Sequence, residues 1–133
     1  MNDKLLNTVK SESTIYEAVI EEMSVKLKHA HLIKSAEQYV SDVRDRENYG
    51  EIEIYPDVIL PHIQSENILA TGIYLIKGKG QDVKWHNQKL KLIILLNLKP
   101  NEDKSIQTDI QQFMRNLADD SFIESLITEE DLL

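Results

Sequence analysis

The chain has 133 residues, no cysteine and a formal net charge of -8. That length suits one compact domain spanning residues 1–133 with its own core, and the missing thiols exclude disulfides and thiolate metal sites. The acidic balance argues against direct nucleic-acid binding, because phosphate contacts depend on Lys and Arg. The longest apolar stretch, Leu90 to Leu98, is broken by Lys91 and Asn97. It falls well short of the roughly 20 residues of a spanning helix, so no membrane insertion is expected. Met1-Asn2-Asp3-Lys4 opens no targeting segment, and the expected location is the cytoplasm. Acid gathers late: beyond Asn101 the basic residues are Lys104 and Arg115 alone. A solvated face is the plainer account of that asymmetry.

Leu5 to Val9 reads as a short first strand or an extended entry. Thr14 and Glu17 have capping-box spacing, and Ile15, Val19, Met23 and Leu27 then place an apolar stripe on one helix face. Ser35 and Gln38 repeat the capping pattern. The helix they open turns Tyr39, Val40 and Val43 inward and stops near Asn48-Tyr49-Gly50. Val58-Ile59-Leu60 is a short apolar run that meets Pro61, which stops regular pairing. Leu69 to Ile76 reads as a strand with Gly72 as a weak point, followed by a turn over Gly78 to Asp82. Leu90 to Leu96 is nearly continuous in apolar residues, as in a central strand covered on both faces, and Pro100 ends it. Ile106, Ile110, Phe113, Met114 and Leu117 form a helical stripe. Ser121 with Glu124, and Thr128 with Asp131, are two further capping signals. Strand, two helices, several strands, then helices: this order predicts an α/β fold. The expectation is a three-layer α/β/α domain with a mixed central sheet of about four to five strands.

The segment with chemical content is Arg44-Asp45-Arg46-Glu47-Asn48-Tyr49-Gly50, followed after Glu51 to Ile59 by Leu60-Pro61-His62. It resembles the active-site segment of fructose/mannitol-type enzyme IIA domains of the bacterial sugar phosphotransferase system. There an Arg-acid-Arg-Glu helix end and a glycine precede an aliphatic-Pro-His at this spacing. Asp82-Val83-Lys84-Trp85, the Leu90 to Leu96 run and the late amphipathic helix continue the family's order, so the resemblance covers nearly the whole chain. It implies that His62 accepts a phosphoryl group from the phosphocarrier protein HPr. A neutral imidazole is nucleophilic at physiological pH, and an arginine fork matches phosphoryl oxygens in a bidentate way. By motif position that arginine is Arg46, with Arg44 the second candidate and Glu47 an acid that holds an arginine in place. The backbone N–H groups of Ile63 and Gln64, or the Ser65 hydroxyl, are candidate phosphate ligands. Outside this pattern a histidine after proline is ordinarily a loop residue. His29, His31 and His86 read as exposed surface, and Trp85 as a packing residue.

The sequence departs from the family pattern in three places. Glu51-Ile52 stand where Ser-Thr is usual, and Tyr55-Pro56-Asp57 replaces a glycine-rich approach to the histidine. The second histidine common in transport members is missing, with Asp109 near its position. A carboxylate there orients the imidazole through its other nitrogen. These departures leave three readings open. One is a regulatory enzyme IIA-like domain attached to a transcriptional antiterminator or activator, phosphorylated at His62. Another is a stand-alone transport enzyme IIA passing phosphate to an enzyme IIB domain. The third is a degenerate domain kept for protein contacts. No metal and no organic cofactor is expected, since no CxxC, His-x-x-Glu-His or glycine-rich phosphate loop is present.

Overall fold

The computed structural model describes residues 5–128. In chain order the elements are β1 (Leu6–Ser11), α1 (Tyr16–His29), α2 (Ala36–Asn48), β2 (Glu53–Tyr55), β3 (Val58–Ile59) and β4 (His62–Gln64). There follow β5 (Gly72–Gly78), β6 (Val83–Trp85), β7 (Gln88–Leu90), β8 (Leu92–Leu98), α3 (Lys104–Asn116) and α4 (Asp120–Thr128). The main sheet is mixed and six-stranded, in the order β1-β5-β8-β3-β2, with β4 also paired to β8. β6 and β7 form a separate antiparallel hairpin. β8 runs antiparallel to β5 and parallel to β3 and β4.

The apolar run of β8 explains the layering. Ile93 and Leu95 join the core under α1 and α2, with Val19, Met23, Leu27, Tyr39 and Val43. Leu92, Ile94 and Leu96 join a second core under α3 and α4, with Ile110, Phe113, Leu117, Ile123 and Leu126. A strand alternates its side chains between faces, so a strand covered on both sides must be apolar throughout. Asn97 is the buried polar exception, and its Oδ1 accepts a hydrogen bond from the Tyr39 hydroxyl at 2.9 Å.

Pro61 interrupts pairing without ending it. Val58 stands opposite Leu92 and His62 opposite Leu96, so β3 and β4 keep one register on either side of Leu60-Pro61. Proline lacks an N–H, but its carbonyl still accepts from the Leu96 N–H at 3.1 Å. The split lane is why six strands fill five lanes. Gly72 begins β5, three residues later than the expected start, and the Tyr74 ring lies over it: a Cβ there would meet that ring at 2.8 Å.

Several local expectations change. Thr14 does not cap α1, whose N-cap is Ile15 without a side-chain hydrogen bond. Thr14 Oγ1 instead accepts from Gln81 Nε2 at 3.1 Å, and Ile15, bridged to Lys84, is exposed rather than inward. Ser35 caps α2 as expected, accepting from the Gln38 N–H at 3.1 Å. At α4 the capping oxygen belongs to Asp119, which accepts from the Ser121 N–H at 2.9 Å. Met114 is exposed. The capping signal of Thr128 with Asp131 runs outside the described residues.

Ile94→Ala removes a fully buried side chain from β8. It should lower unfolding free energy by about 2–5 kcal/mol in urea titration; a loss below ~1 kcal/mol would contradict burial of β8 on both faces.

Candidate functional site

The site is built where α2 crosses the β4 lane. Leu69 N–H donates to the Leu32 carbonyl at 3.0 Å and Lys34 N–H to the Asn67 carbonyl at 2.9 Å. The Asn67 amide then behaves like one more strand residue: its Oδ1 accepts from Ser35 N–H at 2.8 Å and its Nδ2 donates to the Ser35 carbonyl at 3.0 Å. One α2 turn past Tyr39, the Ser65 hydroxyl donates to Asp42 Oδ2 at 3.0 Å. Another turn on stands Arg46, whose charge acts on His62. Helix and strand are thus matched in antiparallel order, with Asn67, Ser65 and His62 facing Ser35, Asp42 and Arg46.

His62 itself is exposed at the open side of β4. Partial burial of the ring, and then the positive charge of Arg46, hold its pKa below the ordinary histidine value. Both causes disfavour the imidazolium, so the ring is neutral and nucleophilic near pH 7. The structure separates the two arginines. Arg46 is half-buried and acts on His62, whereas Arg44 is exposed and acts on Glu47. Glu47 holds no arginine by an ion pair. Its Oε2 accepts from the Tyr16 hydroxyl at 2.8 Å, and burial raises its pKa despite that bond. Burial and the neighbouring Glu47 push the Tyr16 hydroxyl far upward in turn.

The remaining candidates sort differently. Ile63 buries its side chain. Because Leu96 donates to the Pro61 carbonyl, the alternation of a parallel ladder turns the Ile63 N–H toward β8 and the Gln64 N–H toward the open edge. The Ser65 hydroxyl is not free for phosphate: its proton goes to Asp42 and its oxygen accepts from Asn67 N–H at 3.2 Å. Ile110 and Phe113 anchor α3 in the core, with Asp109 on its half-exposed flank. The turn at Tyr55-Pro56-Asp57 needs no glycine, since Asp57 itself takes the left-handed conformation at φ 64. His29, His31 and His86 are exposed. Trp85 packs against Tyr16 with ring centroids 6.0 Å apart. Among the described residues no group of three or more His, Cys, Asp or Glu is placed to hold a metal ion, and no helix is long and apolar enough to cross a membrane.

An exposed neutral histidine thus stands within reach of an arginine's charge, at the edge of a mixed sheet between helical layers. The family described as phosphoenolpyruvate-dependent sugar phosphotransferase system, EIIA 2, matches residues 2–132, and the chain belongs to it. Among solved structures, the mannitol-specific cryptic phosphotransferase enzyme IIA CmtB from Escherichia coli matches with TM-score 0.66 and 24% identity, over 93% of this chain and 84% of that one. Nitrogen regulatory protein IIA-Ntr from Neisseria meningitidis matches with TM-score 0.65 and 17% identity, over 96% and 87%. The complex of enzyme IIAMTL and phosphorylated enzyme IIBMTL from Escherichia coli matches with TM-score 0.64 and 18% identity, over 99% and 91%. At these identities the likeness speaks to the fold. Comparison with curated proteins gives no match.

Sequence reasoning did not single out Asp42 and Asn67. The signal was present: Ser35, Tyr39, Asp42 and Arg46 recur at helical spacing beside the apolar stripe. What no spacing reveals is that their partners lie on β4, in the turn that leaves it, and on β8.

Two titrations test the electrostatics. The His62 ring protons, followed by NMR, should titrate below 6.5, and Arg46→Ala should move that midpoint upward; a midpoint unmoved in the variant would detach Arg46 from the site. For Glu47 burial raises the folded pKa above the ordinary glutamate value. Its contribution to stability is therefore present at acid pH and lost as pH rises through the folded value. Glu47→Gln should accordingly help the fold more at pH 7 than at pH 4 in thermal melts, and the opposite order would mean the carboxylate is stabilised.

Proposed function

We propose that His62 is the phosphoacceptor of this enzyme IIA domain and that its donor is phosphorylated HPr. The observation carrying this reading is a neutral, exposed imidazole with the Arg46 charge beside it. An unprotonated ring nitrogen of His62 attacks phosphorus, the donor's P–N bond breaks as the new one forms, and the other nitrogen of His62 keeps its proton. Arg46 neutralises charge on the equatorial oxygens, which is most of what a loose phosphoryl-transfer transition state asks of a protein. The Gln64 N–H, at the open edge, is the backbone donor best placed to assist.

The regulatory role is the version we favour, with the domain attached to a transcriptional antiterminator or activator. No histidine follows His86, so the second ring common in transport members is missing. A domain that reports its phosphorylation state needs only to be charged and discharged slowly. The transport reading, in which enzyme IIB takes the phosphoryl group, is favoured by the likeness to a domain solved in complex with its phosphorylated enzyme IIB.

Incubation with enzyme I, HPr and labelled phosphoenolpyruvate tests the core of the proposal. Wild type should take acid-labile label and His62→Ala none, while Arg46→Ala should slow uptake by ~10²-fold or more. Full labelling of His62→Ala would remove His62 as the acceptor. Absence of label in wild type would leave a domain retained for protein contacts.

A further inference from the structure

Asp42 stands one helical turn before Arg46 on α2, an acid four residues ahead of a base. That spacing and order favour an ion pair on an exposed helix. Here the pair does not form, whereas the same spacing joins Glu22 to Lys26 at 3.2 Å. Asp42 spends its oxygens elsewhere, accepting from the Ser65 hydroxyl at 3.0 Å through Oδ2 and from Gln38 Nε2 at 2.8 Å through Oδ1. Ser65 closes the turn that leaves β4, through its Oγ to the Asn67 N–H at 3.2 Å and its carbonyl to the Ile68 N–H at 3.1 Å. Asn67 is itself buried and bonded to both backbone groups of Ser35.

We propose that Asp42 is a positioning residue for phosphoryl transfer at His62. By binding Ser65 it fixes the height of α2 against β4, and by being occupied it leaves the Arg46 guanidinium without a carboxylate partner, free for phosphoryl oxygens. The inference rests on the role of His62 proposed above and deepens it. Removal of Asp42 lets α2 slide against β4. Removal of Ser65 alone frees an Asp42 oxygen to draw Arg46 away. Either change takes positive charge from the His62 ring.

The sign of one measurement separates positioning from plain charge. Loss of a nearby negative charge by itself lowers a histidine pKa, whereas loss of Arg46 from its place raises it. In Asp42→Ala and in Ser65→Ala the NMR midpoint of His62 should rise toward that of Arg46→Ala. With HPr as donor, kcat should fall about tenfold and KM stay within about twofold, as for a misplaced catalytic group. Asp42→Asn keeps an acceptor for Ser65 and should restore most of the rate. Ser65→Ala, which deletes only a hydroxyl, serves if Asp42→Ala fails to fold. A midpoint that falls or stays at the wild-type value in both variants overturns the proposal, whatever the rates do. If wild type takes no label, the phosphoacceptor reading fails, while the midpoints still decide whether Asp42 places Arg46.

Discussion

Burial of β8 on both faces is the constraint on which the rest depends. A strand sealed from water on each side can leave no backbone group unpaired, so β8 requires a neighbour along each edge. β5 supplies one edge, and the β3–β4 lane supplies the other. The demand explains why the lane holds its register across Leu60-Pro61, although proline cannot donate there. It also explains the Tyr39 hydroxyl, which crosses from α2 to satisfy Asn97, the polar residue in an otherwise apolar strand. An unmet acceptor at that depth would cost about 1–3 kcal/mol.

His62 inherits its place from that lane. Being opposite Leu96 fixes where along the sheet its Cα stands, and lying on the outer side of the lane gives its ring access to solvent. Rigid placement of this kind is what a transfer between two proteins needs, because donor and acceptor atoms must meet without either chain closing over them. The helix that brings the arginine is then located by polar contacts to the same lane. Apolar contacts of Tyr39 and Val43 hold α2 against the sheet but permit small slides; the bonds of Ser35 to Asn67 and of Asp42 to Ser65 do not.

How much of this was legible in the sequence depends on the range of the signal. β8 and the helical stripes were legible because burial writes itself into composition and period along a single segment. The cap of Ser35 on Gln38 was legible for the same reason, being local. Thr14 shows the limit: the spacing to Glu17 suited a cap, but Gln81, far along the chain, took the hydroxyl. His62 and Arg46 were singled out by a family resemblance, carried by the spacing of the Arg-acid-Arg-Glu and Pro-His segments. Their roles are what that resemblance implies. Asp109 was placed by position alone, and position says nothing about which flank of α3 a side chain occupies. Asp42 was missed because its meaning lies in Ser65, in the turn that leaves β4.

The electrostatic design of the site is a matter of keeping acids away from one cation. The chain is acidic overall, and α2 carries Asp42, Asp45 and Glu47 around Arg46. A free carboxylate beside Arg46 would cancel the charge that lowers the histidine pKa and that we propose receives the phosphoryl group. Two of these acids are instead engaged by neutral donors or by another arginine: Glu47 by Tyr16 and the charge of Arg44, Asp42 by Ser65 and Gln38. Neutral hydroxyl donors suit this purpose, since they satisfy an acid without adding a competing cation. A half-buried ionised Glu47 costs some stability at neutral pH, as its raised pKa records, and the fold accepts that cost while Arg46 keeps its charge facing His62.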